Sequence, residues 1–211
     1  MLKLRVASKG QLTDQIVGLK LESVSGETLP AVSAGAHINL QLGKGLSRQY
    51  SICNPGTSAQ YYELAVLIET ESRGGSKAVA ALDVGDVIEA DEPQNHFGLK
   101  TASNHRLFAA GIGITPMLAM ARELNARGSQ FDLLYRAKSP EKAAYYSQLQ
   151  ECDFSESCRF SFSSDGGLDL AAELLTLQAD EQLYVCGPQG FIDALLEAAK
   201  EAGWRADQIN R

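Results

Sequence analysis

His105-Arg106-Leu107-Phe108-Ala109-Ala110-Gly111-Ile112-Gly113-Ile114-Thr115-Pro116 is the stretch on which the fold turns. It opens with a compact, largely apolar run of strand length, His105 to Ala110. Two glycines break that run. Thr115 is then the expected cap of a helix and Pro116 its first residue. A strand that feeds directly into a glycine turn and a helix is the first unit of a parallel α/β sheet. Gly111 and Gly113 would let the backbone come close to a bound pyrophosphate. The full G-x-G-x-x-G fingerprint is not present, because Pro116 stands where the third glycine belongs.

Downstream of this stretch, strand and helix patterns alternate. A helix is expected over Pro116 to Arg127, a strand over Phe131 to Tyr135 and a helix over about Glu141 to Leu149. The pattern continues with a strand at Arg159 to Ser163, a helix at Leu170 to Leu177, a strand at Gln182 to Cys186 and a helix at Pro188 to Ala202, which Gly203 stops. Such alternation predicts a parallel sheet with right-handed crossovers. Upstream, the period shortens to two. Leu2 to Val6, Ile16 to Leu21, His37 to Leu42, Gln49 to Cys53, Tyr61 to Ile68 and Val87 to Ala90 read as short strands between Gly/Pro/Ser/Asn clusters, and only Ser76 to Leu82 reads as helix. The fold class is therefore two-domain: an antiparallel β-barrel over 1–100, then an α/β parallel-sheet domain over 101–211. The polar stretch Leu99 to Asn104 marks the boundary. The sequence closes on Ile209-Asn210-Arg211, where a final strand is expected to begin.

Composition narrows the function classes. The 211 residues are 45% hydrophobic and 21% charged, with 19 Lys plus Arg against 26 Asp plus Glu and a net charge of −7. That balance argues against a nucleic-acid partner, which calls for a basic face. The first twenty residues follow a strand pattern and do not resemble a signal peptide. The longest apolar run, Leu107 to Ala121, is interrupted by Thr115 and Pro116 and falls short of the roughly 20 residues a spanning helix needs. A cytoplasmic location without membrane contact is expected. Cys53, Cys152, Cys158 and Cys186 contain no C-x-x-C, and His37, His96 and His105 form no ligand pattern, so no metal site is expected.

Three segments carry chemistry. Arg48-Gln49-Tyr50-Ser51-Ile52-Cys53-Asn54 places a cation, a ring, a hydroxyl and a carboxamide on one extended segment, with Arg48 and Tyr50 on one face and Gln49 and Ser51 on the other. Arg73-Gly74-Gly75-Ser76 precedes the helix of the barrel half. Its glycines allow a tight turn with outward N–H groups, Ser76 is the expected cap, and Arg73 or Arg48 could add charge to an anion site. Cys186-Gly187-Pro188 follows the strand Leu183-Tyr184-Val185, at the carboxyl end of the expected sheet. Gly187 lets a ring pass near the backbone there, and the Cys186 thiol is small enough to touch it.

Together these segments resemble the ferredoxin–NADP reductase superfamily, in its phthalate dioxygenase reductase and vanillate demethylase reductase branch. Arg48-Gln49-Tyr50-Ser51 looks like the family's R-x-Y-S flavin motif, and Arg73-Gly74-Gly75-Ser76 like this branch's FMN-phosphate loop. Glu92-Pro93-Gln94-Asn95-His96-Phe97 is similar to the segment closing its barrel. Gly111 to Pro116 and Cys186-Gly187-Pro188-Gln189-Gly190-Phe191 resemble its nucleotide-binding turn and C-G-P motif. The resemblance implies FMN in the barrel, with Tyr50 along the isoalloxazine and Ser51 near its N5, and a pyridine nucleotide in the α/β half, with Thr115 and Cys186 flanking the nicotinamide. Hydride would pass from NADH to flavin, and electrons would leave singly to a [2Fe–2S] centre and a Rieske-type oxygenase. NADPH stays open, since Arg136 and Lys138 follow the second α/β strand. Members of the branch usually continue into a ferredoxin domain. Here the cluster is expected on a missing domain or a partner chain. The alternatives are an FAD-dependent reductase and a flavin-binding electron-transfer subunit that does not turn over pyridine nucleotide.

Overall fold

The structure, a computed structural model, describes residues 1–43, 45–56, 59–176 and 180–211. Six strands come first: β1 (Leu2–Gln11), β2 (Ile16–Ser23), β3 (Ala36–Gln41), β4 (Ser47–Ser51), β5 (Tyr61–Leu67) and β6 (Val87–Ala90). They lie in the order β4-β3-β6-β1-β2-β5, antiparallel throughout. Period-two burial builds the interior: Ala36, Ile38 and Leu40 of β3 are buried while the residues between them are only half-buried. These side chains meet Leu4, Val6, Leu19, Leu21, Tyr62 and Leu64 in one core. The short β7 (Gln94–Asn95), within the segment whose resemblance implied barrel closure, adds to β3.

The curled sheet is joined end to end by few bonds. The Cys53 N–H donates to the Glu63 carbonyl at 2.8 Å. The Asn54 carboxamide donates to the Tyr61 carbonyl (2.8 Å) and accepts from the Glu63 N–H (2.7 Å). One side chain thus replaces a stretch of ladder and satisfies backbone groups that would otherwise be left unpaired.

The second sheet is parallel: β8 (Asn104–Ala110), β9 (Gln130–Ala137), β10 (Cys158–Phe162), β11 (Glu181–Cys186) and β12 (Ile209–Asn210), in the order β10-β9-β8-β11-β12. Helices cover both faces, so the central strand β8 is buried from His105 to Ala110. On one face Leu107, Ala109, Leu133 and Tyr135 pack with α2 (Ile114–Ala126) and α3 (Tyr146–Glu151). On the other, Phe108, Leu134, Leu183 and Val185 pack with α4 (Leu170–Leu174) and α5 (Gln189–Glu201). Helix α2 is buried all along Ile114 to Ala121, because its second side lies against Ile16, Ala34, Cys53 and Ala65 of the barrel half. The two halves therefore share a core. Strand β12 pairs in parallel with β11, where the sequence led a final strand to be expected.

Several local expectations are corrected. Thr115 does not cap α2 and Pro116 is not its first residue. The helix begins at Ile114 after a 3₁₀ turn at Gly111–Gly113, and the Thr115 hydroxyl donates back to the Ile112 carbonyl at 3.0 Å. Ser76 is likewise inside its helix, α1 (Gly75–Ala80), which starts after Gly74 at φ 101° with no side-chain cap. The expected helix Glu141 to Leu149 is broken. Ala143, Ala144 and Tyr145 are consecutive buried residues, and Tyr145 takes φ 64°, so the chain turns inward before α3 begins. The helix expected over Leu170 to Leu177 ends at Leu174, capped at its start by the Asp169 carboxylate on the Ala172 N–H (3.0 Å); Leu177 lies outside the described residues. Among the described residues no helix is long and apolar enough to cross a membrane.

Candidate functional site

The order of the parallel sheet fixes where a site can form. From β8 the chain crosses to β9 on one side, and it later returns to β11 on the other. A crevice therefore opens at the carboxyl ends of β8 and β11, outside Gly111–Gly113 and Cys186–Gly187. The barrel places β4, β5 and the α1 loop across from that crevice. The result is a cleft of about 400 Å³, within the usual range for small-molecule sites.

The barrel wall of the cleft contains Arg48, Gln49, Tyr50, Ser51, Arg73, Gly75 and Ser76. The β3–β4 ladder keeps the expected alternation: Arg48 and Tyr50 stand opposite Leu40 and Ile38, and Gln49 and Ser51 opposite Asn39 and His37. All four line the cleft, and among the described residues β4 is the last strand of the sheet path. Burial raises the Tyr50 phenol above its ordinary pKa; Arg48 opposes that shift and Glu69 adds to it. The Arg48 guanidinium donates to the Ser47 carbonyl at 2.7 Å. Its stem lies over Gly75, where an added Cβ would come within 2.6 Å of Arg48 Cγ. The Ser76 hydroxyl accepts from the Glu69 N–H at 3.2 Å, and the Ser72 hydroxyl accepts from the Gly74 N–H at 3.1 Å, which ties the loop together.

The α/β wall is small and neutral: Ile112, Gly113, Thr115, Cys186 and Gly187. An added Cβ on Gly113 would lie 2.1 Å from the Cys186 carbonyl oxygen, and one on Gly187 would lie 2.8 Å from the Ala110 Cβ. The turns after β8 and β11 are thus packed backbone to backbone. Burial pushes the Cys186 thiol up, so it faces the cleft protonated and uncharged.

Of the expected site residues, Gly74, Gly111, Pro116 and Pro188 do not line the cleft; Gly74, Gly111 and Pro188 lie in the turns behind it and Pro116 is buried inside α2. Sequence reading missed Ala65, Val66, Leu67, Glu69, Ser72 and Ile112. Ala65 to Leu67 read simply as strand, and nothing local marks one strand as facing a cleft. Arg136 is engaged elsewhere, donating to the Ser161 hydroxyl (2.7 Å) and the Gly166 carbonyl (3.4 Å). The four thiols are free, with Cys53 fully buried and Cys186 in the cleft.

The donor set suits a flavin mononucleotide. One wall carries a ring, cations and hydroxyls, and the other lets a flat group approach the backbone. Known proteins are similar to this chain in sequence and fold. The family described as dimethylamine monooxygenase subunit DmmA-like, N-terminal domain, matches residues 96–209. A vanillate O-demethylase oxidoreductase of Pseudomonas sp. (strain HR199 / DSM 7063) is 42% identical over 218 residues, spanning 100% of this chain and 68% of the relative. A phthalate dioxygenase reductase of Burkholderia cepacia is 32% identical, over 92% of this chain and 62% of its own. A solved phthalate dioxygenase reductase, described as a modular structure for electron transfer from pyridine nucleotides to [2Fe–2S], superposes with a TM-score of 0.93 at 30% identity, covering 99% of this chain and 66% of that one.

Fold and cleft define the class: a flavoprotein oxidoreductase of the ferredoxin reductase-like kind. Within it, the chain belongs to the family of vanillate O-demethylase oxidoreductases and phthalate dioxygenase reductases. It spans about two thirds of the length of the curated relatives it matches.

Proposed function

We propose that this chain oxidises NADH and passes the electrons through FMN toward a [2Fe–2S] centre, as the reductase component of a Rieske-type oxygenase system. The observation that carries the reading is one cleft gathering Arg48 to Ser51, Arg73, Gly75, Ser76, Gly113, Thr115 and Cys186 from both halves. Residues 1–100 form the FMN-binding unit and residues 101–211 the NAD(P)-binding unit. When bound, flavin supplies what side chains lack: it accepts a hydride and releases electrons one at a time.

The chain binds and aligns. Arg48, Arg73, Ser76 and the Gly75 amide hold the single phosphate, with Gly74 turning the loop behind them, and Gln49 and Tyr50 hold the ring system. Ser51 offers its hydroxyl to the ring's reactive edge. Gly111 and Gly113 shape the turn that receives the pyrophosphate, and Pro116 sits behind it in the first turn of α2. Thr115 and Cys186, with Gly187 and Pro188 behind them, flank the nicotinamide. Because Cys186 keeps its proton on Sγ, it places no charge beside the donor ring. A ferredoxin domain, fused or separate, takes the electrons onward, in keeping with the vanillate and phthalate systems named for the relatives. The reading includes a cytoplasmic location, a reducing compartment with which four unpaired thiols are compatible.

The purified protein should be yellow, release FMN on heating and bleach anaerobically on addition of NADH. Predominant FAD in the released flavin overturns the one-phosphate site. A colour that NADH leaves unchanged overturns the reductase reading.

A further inference from the structure

Behind the cleft, on the far side of the seam between the halves, lies a second cavity of about 760 Å³, bordered by Val32, Pro55, Tyr61, Glu63, Arg122 and Glu123 among others. The seam is loosely filled there, and polar contacts from one turn of α2 bridge it. Arg122 Nη1 donates to the Cys53 carbonyl at 2.9 Å and to Glu63 Oε2 at 2.8 Å. The neighbouring Glu123 accepts from the Ala34 N–H at 2.6 Å and is itself held by Arg127.

The residues that Arg122 grips are the ones that close the barrel, since the Cys53 N–H donates to the Glu63 carbonyl. Two residues before Cys53 is Ser51, and two after Glu63 is Ala65; both line the cleft. Seven residues before Arg122 on the same helix is Thr115, on the opposite wall. Seven residues are about two turns, so Thr115 and Arg122 lie on one face of α2, roughly 10 Å apart along its axis. A stiff helix thus connects the α/β wall of the cleft to the closure point of the barrel wall.

We propose that Arg122 is a positioning residue. Its paired bonds to Cys53 and Glu63 set the spacing and alignment of the two cleft walls, and hence of hydride donor and acceptor; this rests on the reading under Proposed function. The physical reason is directional. Apolar contacts let a helix slide, whereas a guanidinium bonded to a backbone carbonyl and a carboxylate admits little movement. Beside Arg122 the seam opens into the cavity, so the apolar contacts of α2 with Ile16, Ala34 and Ala65 are not continued on that side. The exposed Lys142–Asp14 pair elsewhere between the halves is solvated and holds little.

The test uses Arg122→Met, which keeps the stem and removes the guanidinium, with Arg122→Lys and Asp14→Asn alongside. At saturating NADH, Arg122→Met should reduce flavin about ten- to a hundredfold more slowly, as expected for a small misalignment of reacting groups. Flavin content should match wild type. Arg122→Lys should recover part of the rate, because an ammonium can serve one of the two acceptors, and Asp14→Asn should change nothing. In the flavin-free protein, amide exchange should quicken at 33–35 and 52–54 in Arg122→Met. Should that variant fail to fold, Glu63→Gln carries the same measurements, with a smaller expected effect because the Cys53 bond remains. A wild-type reduction rate with wild-type exchange overturns the proposal, as does a slowing accounted for by flavin loss. If wild-type protein is not reduced by NADH, the functional reading fails, and the exchange measurement alone decides whether Arg122 locks the seam.

Discussion

Gly113 has φ −62°, so its backbone places no demand for glycine. Space does. An added Cβ would sit 2.1 Å from the Cys186 oxygen, 2.3 Å from its carbon and 2.6 Å from the Gly187 nitrogen, all backbone atoms that cannot rotate aside. Gly113→Ala should force the turns after β8 and β11 apart, at a cost of about 1–3 kcal/mol typical of overpacking. Thermal unfolding measures the loss, and the rate of flavin reduction should fall with it because both turns line the cleft. An alanine variant as stable as wild type would show that the turns separate freely. The glycine was legible in the sequence as part of G-x-G, but the reason assigned to it there was room for a ligand. The structure adds a nearer cause, contact with the next turn of its own fold.

At the scale of elements, α1 is short, six residues with no side-chain cap at its start, so its position depends on outside support. Lys9 gives it. The Lys9 ammonium donates to the Ala80 carbonyl at 2.6 Å and the Leu82 carbonyl at 2.7 Å, satisfying acceptors at the end of the helix. A bulge between Val6 and Ser8 makes this possible. It shifts the register so that Lys9 stands opposite Leu19, on the core-facing side of β1. Lys9→Met should cost about 1.5–3 kcal/mol, the worth of a charge-assisted bond to a carbonyl. The measurable sign is flavin retention: if Lys9 holds the Gly74–Gly75–Ser76 loop in place, the variant should lose FMN on dialysis faster than wild type. Equal retention would confine Lys9 to general stability. The sequence placed β1 correctly at Leu2 to Val6 but not its continuation, because a bulge reverses the alternation by which strands are recognised.

For the whole molecule, the junction of the halves has its own pH dependence. Cys53 is fully buried, and burial, aided by Glu63, pushes its thiol up to about 12; the Tyr145 hydroxyl, 3.7 Å from Cys53 Sγ and also buried, is pushed up as well. Both groups have folded values above their ordinary ones of 9.0 and 10.0. Their contribution is therefore complete below pH 9 and is lost as pH rises, because the unfolded chain releases these protons first. The melting temperature should be flat through pH 7 to 8.5 and fall above about pH 9, where the unfolding free energy drops by up to about 1.4 kcal/mol per pH unit for each group. Cys53→Ala should make the decline shallower. An unchanged slope in that variant would assign alkaline sensitivity to other groups.

The sequence by itself determined the two regimes of period, the alternation of strand and helix after Ala110, and the glycine-bearing segments that the structure brings to one cleft. Those signals are local: periodicity, glycine turns and an Arg-x-Tyr-Ser strand are each complete within a few residues. Only the tertiary structure decided which strand faces the cleft with Ala65 to Leu67, that Thr115 lies inside its helix, and that Ala143 to Tyr145 turn inward where a helix was expected. The bonds that join the halves belong there too. Arg122 meets Glu63 across 59 residues of chain and Cys53 across 69, and Lys9 meets Ala80 across 71. No local pattern encodes such pairings, because they exist only once packing has brought distant segments together and excluded the water that would otherwise satisfy those groups.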